Sequence, residues 1–279
     1  MTPRRIIVVA GEGVYPRLIV EGAKAAGVET VDVLAVRGST DRATARAGDH
    51  VHVEGVGRAL AGVKWIAENG YDGVILAGQI NPLSLFRTAF DADTRQLLSE
   101  LHVKCAHTIY GRLVEEFAKR GVKTLPASCY MDGHLPGVGV LTARRPDERE
   151  LRDAERGAVV MRDIGRHDVG QTVLVKDGMV LAVEAFEGTN AAIRRAGRLG
   201  GKGAVLVKGA REGHDMRFDI PVVGLKTFKT MKRAGVTALA FQAGRLILLD
   251  REEAIRFADR YGIAIFGFET GLPPAPLRP

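Results

Sequence analysis

The sequence predicts an α/β protein of two domains, and three observations carry that prediction. Short apolar runs alternate with amphipathic stretches from the N-terminus onward; a stretch dense in Gly and Pro breaks the pattern near the middle; shorter strands and helices resume beyond it. At 279 residues and 30.0 kDa the chain is long enough for two ordinary cores and needs no covalent staples.

Taken in order, Ile6 to Ala10 reads as a buried strand, Gly11-Glu12-Gly13 turns into a helix running to Ala26, and Val31 to Val36 is a second strand. An amphipathic stretch from Val56 to Asn69 leads to a third strand at Gly73 to Gly78. The order β-α-β-α-β predicts a Rossmann-like parallel sheet with right-handed crossovers. Helices at Asp93–Leu101 and Ile109–Arg120 complete a first domain, residues 1–129. The stretch YMDGHLPGVGVLTARRPD, residues 130–147, reads as a linker. Residues 148–279 form a second α/β or α+β domain, which the residues below mark as catalytic. It opens with a helix over Pro146–Ile164, and its strands lie at Thr172–Val175, Met179–Ala185, Ala204–Leu206, Val222–Gly224, Ala238–Ala240 and Leu246–Leu249. Amphipathic stretches at Ala191–Leu199, Lys226–Ala234 and Arg251–Tyr261 alternate with those strands, and Phe228, Met231 and Val236 read as helix core beside Leu225.

Composition bounds the function. Cys105 and Cys129 show no metal-ligand or CxxC spacing, which fits a reducing compartment, so the cytoplasm is expected. The N-terminal apolar run is far short of the ~20 residues of a membrane span. The formal charge of +7, from 40 Lys+Arg against 33 Asp+Glu, suits an anionic partner. Nucleic acid is not expected, because the cations are dispersed, aromatics are 6% of the chain and no nucleic-acid motif appears.

Two glycine turns are candidate phosphate sites. Gly11-Glu-Gly13-Val-Tyr-Pro16 lies between a strand and a helix, where backbone N–H groups and the helix dipole favour an anion. Pro16 stands where a dinucleotide fingerprint needs its third glycine, which weakens the alternative of a nucleotide-dependent oxidoreductase. The second turn, Ala77-Gly78-Gln79-Ile80-Asn81-Pro82, leaves the carboxyl end of a strand, where open α/β sheets bind ligands. Ile80, Leu83, Leu85 and Phe86 beyond it are an apolar candidate for acyl chains.

In the second half polar groups recur at strand ends. Asp168, Glu184, Glu187 and Asp219 offer hard oxygen ligands for Mg²⁺, with Asp168, Glu187 and Asp219 preferred; Lys208, Arg211 and Arg217 suit phosphate oxygens. Gln171 and Thr189 join Lys208 and Arg217 as substrate-binding candidates, and His214 lies near Asp215 and Asp219. Glu184 and Glu187 are three residues apart, hence on opposite faces of a strand's end. Glu187, beside the Gly188-Thr189 turn, is the preferred site residue, with Glu184 a second site residue or half of a structural ion pair.

RHDVGQTVLVKDGMVLAVEAFEGTNAAIRRAG, followed by KGAREGHDMRFDIPVVGLKTFKTMKRAGVTALAFQAGRLILLDREEAI, resembles the UDP-2,3-diacylglucosamine pyrophosphatases of the LpxI type, and the resemblance runs nearly end to end. It implies a two-domain, dimeric enzyme of lipid A biosynthesis at the cytoplasmic face of the inner membrane, peripheral to it. The implied reaction is Mg²⁺-dependent hydrolysis of UDP-2,3-diacylglucosamine to UMP and 2,3-diacylglucosamine 1-phosphate, with water attacking the sugar-linked phosphorus. The aspartate of the family's R-F-D-x-P string, essential there, matches Asp219. Asn190 stands where the family usually has Asp, which keeps a non-catalytic nucleotide or lipid-nucleotide binding protein as an alternative.

Overall fold

The computed structural model describes residues 3–80, 88–103, 106–210, 215–218 and 220–269. Two compact units are present: the chain up to Asp132 with residues 215–218, and the remainder from Gly133. Their boundary falls inside the predicted linker, and that stretch is not merely connecting chain: Gly139–Val140 pairs into the second unit's sheet.

The first unit is built on β1 (Arg5–Ala10), α1 (Tyr15–Ala25), β2 (Thr30–Val36), α2 (Arg42–Ala47), β3 (Val51–Glu54), α3 (Ala59–Glu68), β4 (Gly73–Ala77), α4 (Ala92–Ser99) and α5 (Ala106–Lys119). Its four strands are parallel, in the order β3-β2-β1-β4. β1 runs Ile-Ile-Val-Val because both faces of an all-parallel sheet are covered, so alternation gives way to a continuous apolar run. Pro16 falls in the first turn of α1, where its missing N–H costs nothing, and Ile19, Val20 and Ala23 are buried along one stripe of that helix. β3 escaped the sequence reading: its pattern is exposed-partly buried-exposed-partly buried, and edge strands carry little apolar signal.

The second unit comprises β5 (Gly139–Val140), α6 (Glu148–Gly165), β6 (Thr172–Lys176), β7 (Met179–Val183), α7 (Thr189–Gly200), β8 (Val205–Lys208), β9 (Val222–Val223), α8 (Leu225–Ala234), β10 (Ala238–Gln242), β11 (Ile247–Leu248), α9 (Arg251–Arg260) and β12 (Ala264–Phe268). Six strands form one sheet in the order β5-β12-β10-β8-β6-β7, with β8, β10 and β12 parallel and the outer strands antiparallel; β9 and β11 pair separately. Period-two alternation sorts its two faces. Val173, Val175, Val205, Val207, Ala238 and Ala240 meet Ala154 and Met161 of α6 on one side. Leu174, Leu206, Leu239 and Phe241 meet Ile193, Phe228, Met231 and Ala254 of α7, α8 and α9 on the other. Phe228, Met231 and Val236 are thus core, as their spacing predicts. Asp147 caps α6 in a reciprocal box with Glu150, satisfying two end groups.

Candidate functional site

In the first unit the strand order reverses between β1 and β4, and the loops leaving their carboxyl ends are the two predicted glycine turns. Open α/β sheets bind ligands at such a reversal. The Gly11 N–H donates to the Ala77 carbonyl at 2.7 Å, and Glu12 and Gln79 exchange backbone hydrogen bonds at 2.7 and 3.3 Å. The loops touch so closely that a Cβ on Gly11 would lie 2.5 Å from the Gln79 carbonyl oxygen, and one on Gly78, whose φ is +86°, would lie 2.8 Å from the Glu12 oxygen. Gly11 and Gly78 are therefore needed for loop-on-loop packing. Gly13, with φ +94° and open space where a side chain would go, leaves backbone accessible to a ligand.

The segment before Asp219 belongs to this unit. The Ala127 N–H donates to the Met216 carbonyl at 3.0 Å, and the Phe218 ring lies 5.3 Å from His107 and 5.7 Å from Tyr110. Arg217 is already engaged, donating to both oxygens of Asp215 at 2.9 and 2.6 Å. That fork holds the Asp215 carboxyl below its usual value, the hydrogen bond from Arg217 being the main cause. Asp219, Arg211, His214, Cys105, Leu83, Leu85 and Phe86 lie outside the described residues; Ile80 packs beside the first unit's core.

In the second unit Thr172, at the start of β6, pairs in register with Lys208, at the end of β8, and the Glu184 N–H donates to the Thr172 carbonyl at 2.9 Å. Register thus brings three polar residues to one edge, and Thr189 joins them from the first turn of α7. Lys208 is 3% exposed and spends its ammonium protons on Thr189 Oγ1 at 2.9 Å, Thr172 Oγ1 at 3.0 Å and Glu184 Oε2 at 3.5 Å. Thr189 donates in turn to Glu184 Oε1 at 2.8 Å. Burial alone would raise the Glu184 carboxyl, but the Lys208 charge and hydrogen bonds from Thr172, Thr189 and Lys208 outweigh it and hold the group below its usual value.

The two glutamates have different settings. Glu184 is the inward residue, while Glu187 is exposed, ion-paired with Arg195 at 2.9 Å and accepting its own turn's Ala185 N–H at 3.2 Å. The physical reason is that β7 ends at Val183, so strand alternation does not extend to residue 187. Asp168 is exposed on the turn after α6, with φ 53°. Gln171 presents its carbonyl to the Gly209 N–H at 3.2 Å.

Sequence reasoning singled out Asn190 only as a departure from the family pattern and passed over Thr172 and Gln242 as site residues. Asn190 Oδ1, beside Thr189, and Gln242 Oε1, at the end of β10, are buried without a hydrogen-bond partner among the described residues. A Cβ on Gly209 would meet Gln242 Oε1 at 2.6 Å, so this glycine leaves room for that side chain. The only prior signal was polarity at strand ends.

No group of three His, Cys, Asp or Glu side chains able to hold a metal occurs among the described residues; of the predicted set, Asp168 and Glu187 are described and Asp219 is not. Mg²⁺ needs less: it keeps several waters and leans on one or two carboxylates and substrate phosphates. The unpartnered Asn190 Oδ1 is an oxygen of suitable chemistry.

Fold and site define a two-unit α/β protein with polar groups gathered at the ends of its strands. The LpxI N-terminal domain model matches residues 5–134 and the LpxI C-terminal domain model residues 137–266. The chain is 31% identical over 278 residues to the UDP-2,3-diacylglucosamine pyrophosphatase LpxI of Caulobacter vibrioides, covering 95% of this chain and 98% of that protein. The chain belongs to the LpxI family.

Proposed function

We propose that this protein hydrolyses the pyrophosphate bond of UDP-2,3-diacylglucosamine, releasing UMP and 2,3-diacylglucosamine 1-phosphate in lipid A biosynthesis. The observation that carries this reading is the match to a pyrophosphatase of that name over 95% of the chain, spanning both units.

The chemistry follows from the groups available. A pyrophosphate is anionic at every non-bridging oxygen, and the departing UMP gains charge as its bond breaks, so positioned donors and cations supply most of the stabilisation. Lys208 brings a buried cation; its 3.5 Å hydrogen bond to Glu184 is the longest of three and the donor a phosphate oxygen can take over. Glu184 meanwhile keeps Thr189 oriented and offsets the ammonium, acting through its neighbours. Asp219 is the catalytic carboxylate in this proposal and a Mg²⁺ ligand. Bound Mg²⁺ would neutralise phosphate oxygens and polarise a water. Homodimerisation and a place on the cytoplasmic face of the inner membrane belong to the same proposal.

The test is UMP release from UDP-2,3-diacylglucosamine by the purified chain, with Mg²⁺, with EDTA, and with Asp219→Ala, run in ¹⁸O-water. The expected result is metal-dependent UMP release, abolished by Asp219→Ala, with ¹⁸O in the sugar phosphate. No UMP under any condition would leave a binding protein instead.

A further inference from the structure

α7 buries Ala192, Ile193 and Ala196, and α8 buries Thr227, Phe228 and Met231, against the same side of the six-stranded sheet. Their opposite sides therefore face solvent together. The helices approach closely at one end: a Cβ on Gly197 would lie 2.5 Å from the Ala234 carbonyl oxygen, and the Gly203 N–H donates to the Gly235 carbonyl at 2.8 Å.

The common outer face is basic. Arg194 and Arg198 lie one turn apart on α7, with Lys202 just beyond its end, and all three are exposed. Lys226, Lys229, Lys232 and Arg233 are exposed on α8. Neither helix contains an Asp or Glu. Several cations elsewhere in this unit are paired, as in Arg144–Glu150, Arg149–Asp153 and Arg256–Glu252, and on α7 Arg195 is held by Glu187. Apolar groups accompany the cations: Leu199 is 67% exposed between Arg198 and Lys202, and the Tyr261 ring, 45% exposed, lies 4.9 Å from Lys232 Nζ.

We propose that this α7–α8 face docks on an anionic lipid bilayer. Basic side chains attract the charged surface, while Leu199 and Tyr261 suit the headgroup boundary, where amphipathic rings and isolated apolar side chains settle. Nucleic acid fits less well: two helices side by side make a broad plane, with neither a protruding recognition element nor a row of stacking rings. The purpose of the docking rests on the reaction proposed above, since a doubly acylated substrate resides in the bilayer; the geometry of the face does not.

The experiment compares Lys226→Gln/Lys229→Gln with Arg162→Gln/Arg166→Gln, a pair of exposed arginines in and after α6 on the other side of the sheet. Both variants lose the same net charge. Sedimentation with phosphatidylglycerol-containing vesicles should show the α8 variant binding about 30-fold more weakly than wild type, since each basic residue near an anionic surface contributes about fivefold. The α6 variant should bind within about threefold of wild type, and binding should weaken steeply with salt. Equal losses in both variants, equal binding to pure phosphatidylcholine, or no wild-type binding would overturn the proposal. Hydrolysis of a water-soluble short-chain substrate, measured alongside, should be unchanged in the α8 variant. Its absence in wild type would overturn the proposed reaction while leaving the vesicle result to stand on its own.

Discussion

Removing Lys208 would leave the Glu184 carboxylate beside two hydroxyls with no cation. Breaking one side of a buried ion pair typically costs about 3–5 kcal/mol, so Lys208→Met should lower the urea midpoint far more than a surface Lys→Met. Adding Glu184→Gln should recover much of that loss, because the uncompensated charge is then gone. Activity should not return, since the cation is still missing; recovery of UMP release in the double variant would reduce the pair to a structural tie. The pH dependence has a definite sign. Glu184's folded carboxyl is held below its ordinary value, so its contribution is complete at neutral pH and is lost as pH falls through the folded value. Lys208→Met should lack this acid-side loss, which denaturation curves at pH 7 and pH 4 would show. A second residue, Gly11, has no room for a methyl group 2.5 Å from the Gln79 oxygen. Gly11→Ala should cost about 1–3 kcal/mol through overpacking, read in the same denaturation experiment.

Among the helices, α5 carries the densest charge network: Glu116 accepts from Lys119 at 2.8 Å, from Arg112 at 2.7 Å and from Arg120. Hydrogen bonds from Lys119 and then Arg120 are the main reasons its carboxyl falls to about 2. The stabilisation is therefore present above the ordinary value of 4.5 and lost between there and about 2. Glu116→Gln should destabilise by about 1 kcal/mol at pH 7, as helical and partly exposed ion pairs do, and by nothing measurable at pH 2. An equal loss at both values would show that the cations contribute packing rather than charge. At this scale the sequence was largely readable, because β1, β2, β4, β6, β8 and β10 are runs whose period and length name them. What it could not reveal was pairing. Thr172 meets Lys208 only through the register of β6 on β8, a long-range fact with no local signature. The different settings of Glu184 and Glu187 were hidden for a related reason, since strand alternation stops at Val183 and residue 187 lies in the turn beyond it. β12 was missed as an element although its residues are almost wholly buried, because AIFGF is short and broken by a glycine.

Across the whole molecule, the chain does not pass from the first unit to the second once and for all. Residues 215–218, read from the sequence as part of the second domain, belong to the first unit, where Phe218 packs with His107 and Tyr110 of α5 and Met216 accepts from Ala127. The string that leads into Asp219 is thus anchored by aromatic packing, which no local pattern marks because the ring contacts with α5 span more than a hundred residues. Phe218→Ala should cost roughly 1–3 kcal/mol, less than the 3–5 of a fully buried Phe because this ring is only partly buried. The loss should be local. Amide hydrogen exchange should quicken in α5 and around Ala127 while α7 and β8 keep their protection, since stability in such a chain is distributed by cooperative unit. If Asp219 is catalytic as proposed, UMP release should fall more than stability alone explains, to about a hundredth, because a reacting group displaced by about an ångström loses that much. Faster exchange confined to α5 with full activity would mean that the anchor serves folding of the first unit and has no part in placing Asp219.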